Sequence, residues 1–108
     1  MSWAISHAPY GERLRLADRR LDAVERAVVQ LTTTREWRAI RVLADGIRGR
    51  REFALGWAEA GQAEDVLRLA ACHPRMDTDV ADDVHALADA AGSAAKSRQP
   101  WAWTRTGS

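Results

Sequence analysis

The chain contains a single cysteine, Cys72, so no disulfide within it can staple the fold. It contains a single lysine, Lys96, against fifteen arginines, a bias that reflects a GC-rich genome more simply than selection for guanidinium chemistry. No apolar run approaches the roughly 18 residues of a membrane span, and no membrane role is expected. The opening "MSWAISHAPYGER" lacks a basic segment followed by an apolar core, so no secretory signal is expected and a cytoplasmic location is the default. Phosphate-binding signatures are missing too: "DGIRGRRE" has glycines but neither the GK[ST] ending nor a preceding strand. No cofactor is expected.

What is present is globular in composition, 46% hydrophobic and 29% charged over 108 residues, enough for one domain with a modest core. Abundant alanine and arginine with little Phe, Tyr, Thr or Ile favour helix over sheet. The expected fold class is therefore all-α, a small antiparallel bundle of about four helices over residues 1–96, with a tryptophan-bearing tail over 97–108. The net charge of +1 conceals an asymmetry. Residues 1–54 carry eleven basic and seven acidic side chains (+4), residues 55–108 five and eight (−3).

Leu14, Ala17, Leu21, Val24, Val28 and Leu31 recur at steps of three and four, predicting a first helix that starts between Pro9 and Glu12 and stops at "TTT". Thr34 is positioned to cap a second helix. The polar residues Arg38, Arg41, Asp45, Arg48, Glu52 and Glu59 keep one helical phase across Gly46, Gly49 and Gly56, which predicts one continuous helix ended by Gly61. Its wide apolar arc, with Val42, Phe53 and Trp57 on a second side, exceeds what one neighbour covers, so either the third and fourth helices complete a monomeric bundle or two chains share a core as a homodimer. "QAEDVLRLAACHP" predicts a third helix with Val66, Leu67 and Ala70 inward and Cys72 buried. "MDTDVADDVHALADAAG" predicts a fourth, with Asp77 as N-cap and Val80, Val84, Leu87 and Ala91 facing the core.

Several arginines fall where apolar residues are expected. Arg13 and Arg20 lie in the apolar arc of the first helix and Arg50 and Arg51 in that of the second; an antiparallel hairpin brings them toward Arg48. Such a cluster suits a carboxylate or phosphate, because guanidinium donates in a planar fork and is weakly hydrated. The alternative is neutralisation by Asp77, Asp79, Asp82 and Asp83 of the fourth helix, or side chains that simply reach out to water. Trp101 and Trp103 alternate, so in an extended segment both point one way, either onto the chain's own start near Trp3 or onto a partner. Metal chemistry has little support: Asp82, His85 and Asp89 share a helix face, but no second Asp-x-x-His element exists.

"RLRLADRRLDAVE" resembles the first helix of the helical chorismate mutases at Arg15, Leu21 and Asp22. The basic residue which that family needs further along the helix is not matched, since Thr32 to Thr34 stand there. No acid, base and nucleophile converge from the spacing. The expected function is thus a non-enzymatic interaction protein, an adaptor, inhibitor or assembly subunit, binding a protein partner through Arg13, Arg20, Arg48, Arg50, Arg51, Trp101 and Trp103. The second partner class is a nucleic-acid backbone contacted by the same five arginines.

Overall fold

The computed structural model describes residues 1–7 and 12–106, except for the side chains of His7, Glu12 and Arg13. It is an α+β fold, which corrects the all-α expectation. Strands β1 (Ser2–His7) and β2 (Glu12–Ala17) precede helices α1 (Asp18–Leu31) and α2 (Thr34–Gly49). Strand β3 (Glu52–Leu55), helices α3 (Trp57–Ala71) and α4 (Thr78–Ser97) and strand β4 (Trp101–Thr106) follow.

The four strands form one antiparallel sheet in the order β2-β1-β4-β3. Trp3 lies across from Leu16 and Arg105, Ile5 from Leu14 and Trp103, and Phe53 from Trp103. One face therefore carries every large apolar strand residue. The other presents Ser2, Ala4, Ser6, Ala102, Thr104 and Thr106, with Ser2 Oγ 2.8 Å from Thr106 Oγ1.

The expected tail is thus the strand that joins the β1–β2 hairpin to β3. Trp101 and Trp103 are 0% and 1% exposed. Trp103 meets Trp101 and Trp3 edge-on and stacks on Phe53 at 5.6 Å between centroids. Truncating a core tryptophan of this kind costs about 3–5 kcal/mol.

The helices pack on this face. α3 and α4 form a hairpin of small residues, Ala60, Ala63 and Ala70 against Ala88, Ala91 and Ala94, all buried. Gly61, expected to end a helix, lies inside α3, 3.7 Å from the Ala95 methyl group where its own Cβ would be. Asp77 caps α4 as expected, its carboxylate accepting from the Asp79 N–H at 2.9 Å. The cap of α2 is Thr33 rather than Thr34, in a reciprocal capping box with Glu36. Cys72, at the C-cap of α3, is exposed rather than buried.

The continuous second helix is also corrected. α2 ends at Gly49, and Phe53 and Trp57 belong to β3 and α3, so of the second apolar side only Val42, which is exposed, is part of α2. Close packing explains glycine at position 46, where a Cβ would lie 2.8–2.9 Å from three carbons of the Phe53 ring. No helix among the described residues is long and apolar enough to cross a membrane.

Candidate functional site

The first of the expected arginines with a described side chain is committed within the fold. Arg20, in the first turn of α1, donates from Nε to Asp83 Oδ2 at 2.9 Å and from Nη2 to Asp83 Oδ1. Asp83 is 8% exposed on α4, and its hydrogen bond and then its charge raise the Arg20 pKa above the ordinary arginine value. Arg48, in the last turn of α2, pairs with Glu25 of α1. Arg50 and Arg51 are exposed in the α2–β3 link, where the Arg51 carbonyl accepts from the Arg105 N–H at 2.7 Å. The Arg13 side chain lies outside the described residues. Arg20 is thus turned to α4 and Arg48 to α1, so these two do not converge on one anion pocket. Trp101 and Trp103 face the core, out of a partner's reach.

The metal-ligand residues stay apart: among the described residues no three His, Cys, Asp or Glu side chains converge. His73 is occupied locally, its Nδ1 accepting from the Arg75 N–H at 3.0 Å. The chorismate mutase likeness does not survive either, because Arg15 stands on β2, ahead of the helix that holds Leu21 and Asp22.

A concave site lies elsewhere, between α1 and α2. Only Thr32 and Thr33 separate the two helices, yet each sends its apolar ridge down onto the layer below rather than onto the other. Leu21, Val24 and Val28 of α1 and Ile40, Leu43 and Ala44 of α2 form the walls, and Leu67, Leu87 and Trp103 lie with them around the cavity. The ridges leave between them an apolar pocket of about 40 Å³ that opens to solvent. Trp37 and Ile47 are half-buried at its lip.

The rim is charged. The Glu25–Arg48 pair joins the two helices, with Arg48 well exposed, so it holds them together by about 1 kcal/mol or less. Asp22, Arg26 and Gln30 border the α1 side, and Arg38, Arg41 and Asp45 the α2 side. Arg41 pairs loosely with Asp45 at 3.9 Å, whereas Arg26 and Arg38 make no ion pair among the described residues.

One further irregularity sits in this region. The indole Nε1 atoms of Trp101 and Trp103 and the Nε of Arg105 are buried without a hydrogen-bond partner. All three lie on the core-facing side of β4, and Trp103 lines the cavity. An unpaired buried donor costs about 1–3 kcal/mol, and natural folds leave few of them. The sequence carried a sign of this site in the apolar positions of Trp37, Ile40, Ala44 and Ile47, but those read equally well as ordinary core.

No curated protein and no solved structure matches the chain significantly. The model of one family, a domain of unknown function (DUF7739), matches residues 8–104, and the chain belongs to that family.

Proposed function

We propose that the protein is a non-enzymatic cytoplasmic interaction module whose α1–α2 groove receives an apolar segment of a protein partner. The observation that supports this reading most is the groove itself: aliphatic walls open to solvent, with Trp37 on the lip and arginines on both banks. Aromatic and arginine side chains around a desolvated centre make the strongest contacts in protein interfaces. Arg26 and Arg38, without ion pairs among the described residues, add attraction for carboxylates flanking that segment. A nucleic-acid backbone is less well served, because two of the five expected phosphate contacts, Arg20 and Arg48, are already bound to carboxylates.

The test places a photo-crosslinking amino acid at Trp37 on the lip and, separately, at Thr104 on the outer sheet face. The expected result is a discrete protein adduct from position 37 alone, resistant to nuclease and lost on Arg26→Glu/Arg38→Glu. Equal adducts from both positions, or adducts that nuclease removes, would overturn the reading.

A further inference from the structure

We propose that the free edge of β3 takes the C-terminal segment of a partner protein as an added antiparallel strand and holds its terminal carboxylate at Arg50 and Arg51. This does not depend on whether the α1–α2 groove receives a protein. Among the described residues β3 is the last strand of the sheet and pairs with β4 alone. The Arg51 carbonyl accepts from the Arg105 N–H, and that pair continues the register of Phe53 with Trp103 and Leu55 with Trp101. Alternation in an antiparallel ladder therefore turns the N–H and C=O of Glu52 and Ala54 away from β4. Both residues are exposed, and no backbone hydrogen bond among the described residues reaches those outward groups. Folds usually blunt such an edge with charge or irregular pairing. β2, at the opposite edge, carries Glu12, Arg13 and Arg15 and shifts register against β1; β3 keeps a regular register and follows Glu52 with Phe53, Ala54 and Leu55.

The surroundings of that edge select its occupant. An open cleft of about 240 Å³ lies along it, with Val42, Asp45 and Gly46 of α2 on one side and Phe53, Ala54 and Leu55 on the other. Val42 is 53% exposed there. The Phe53 ring packs beneath Gly46, so a peptide residue across from Phe53 points, as Phe53 does, toward α2 and into the cleft. The space takes one aliphatic side chain. Charge then sets the direction. Arg50 and Arg51 alone link α2 to β3, Arg50 lines the cleft, and neither makes an ion pair among the described residues. An antiparallel peptide brings its C-terminal carboxylate to these two guanidinium groups, whereas a parallel one brings its ammonium group. Asp45, the acidic residue in the lining, lies 3.9 Å from its own partner Arg41, and Glu52 alternates onto the opposite face of the sheet. Because the link bounds the cleft at that end, a chain that finishes there fits it better than one that runs on. Main-chain hydrogen bonds to Glu52 and Ala54 supply the affinity, and the apolar penultimate side chain and the carboxylate supply the selectivity.

The probe is an acetylated hexapeptide, Val-Thr-Val-Thr-Leu-Thr, with a free C-terminal carboxylate, which sets its leucine across from Phe53. In nitrogen-15 correlation spectra of the full chain, the amide signals of Glu52 and Ala54 are expected to move downfield saturably, together with the Val42 methyl signals. Those of Arg26 and Arg38, beside the α1–α2 groove, should stay nearly still. Amidating the peptide's C-terminus should weaken binding about five- to tenfold, the worth of one hydrogen bond to a charged group. Arg50→Gln/Arg51→Gln should weaken the free acid by the same factor and make the chain indifferent to amidation. Ala54→Pro removes an outward N–H while leaving the ladder to β4 intact, and should abolish the response. Should Ala54→Pro fold poorly, the comparison of acid and amide on the wild type and on Arg50→Gln/Arg51→Gln still decides. An Ala54 amide unmoved at millimolar peptide, or equal binding of acid and amide by the wild type, would overturn the proposal. So would an Ala54 amide already protected from exchange in the free protein, with Ala54→Pro halving the mass in solution, because the edge would then belong to a second copy of the chain.

Discussion

Gly46→Ala should destabilise the protein although alanine is the better helix former. The added methyl group would stand 2.8–2.9 Å from Cδ1, Cδ2 and Cε1 of Phe53, whereas carbon atoms rest at about 3.5–4.0 Å, so the ring must retreat by roughly 0.7 Å or more. Its retreat is restricted: Trp103 stacks on it at 5.6 Å between centroids, and Trp3 meets it edge-on at 5.5 Å. Overpacking of this kind costs about 1–3 kcal/mol, and the gain in helix propensity returns about 1 kcal/mol. A net loss of about 1 kcal/mol should lower the melting temperature by about 4–8 °C.

Gly49→Ala is the matched control. No atom lies within 4 Å of its would-be Cβ, so the propensity term acts alone and stability should rise by about 0.5–1 kcal/mol. Thermal and denaturant unfolding followed by circular dichroism measure both, and Phe53→Leu should reduce the cost of Gly46→Ala in a double-mutant cycle. If Gly46→Ala melts at or above the wild type, the Phe53 ring is not held against α2 by its aromatic neighbours.

Arg20→Met should destabilise by leaving Asp83 buried without its cation, and Arg20→Met/Asp83→Leu should recover much of the loss; a double variant no better than the single would contradict this. Because the Arg20 pKa is raised, its contribution is fully present below the ordinary arginine value and fades only as pH rises through the raised one, so the wild-type advantage over Arg20→Met should not change between about pH 8 and 10. Removing residues 99–108 deletes the strand between β1 and β3 and should abolish cooperative unfolding, whereas a sharp melt in the truncated chain would mean that the sheet survives without it. Cys72 should react with a thiol reagent in the native state as fast as in denaturant; strong protection would place it in the core.

The helices were legible where periodicity and capping agreed. Leu21, Val24 and Val28 mark α1, and Asp77 opens α4 with Val84, Leu87 and Ala91 buried behind it. The strands were missed for a definable reason. Leu14 and Leu16 alternate on β2, but Leu14 and Ala17 also extend the three-and-four spacing of α1, so one segment satisfied two periods. The phase across Gly46 to Glu59 rested beyond α2 on Glu52 and Glu59 alone, and two residues are too few to separate a helix from a turn, a four-residue strand and a new helix. Composition misled in the same direction, because the sheet uses alanine, serine and arginine where valine and isoleucine are usual. As for the candidate site, the sequence offers Trp37 and Ile40 as apolar, but the splay of α1 from α2 depends on what lies beneath them, which no local pattern encodes.

The position of β4 sets a timetable for the molecule's making. Its residue Thr106 lies across from Ser2, and among the described residues no other strand connects the first hairpin to β3. During synthesis the helices can form as they emerge, but the apolar face of the first hairpin, with Trp3, Ile5, Leu14 and Leu16, has no finished sheet to belong to until residue 106 has left the ribosome. The nascent protein must therefore keep that surface from other chains until β4 has been made, by early cover from α4 or by a chaperone, and a pause between β1 and β4 would prolong its exposure.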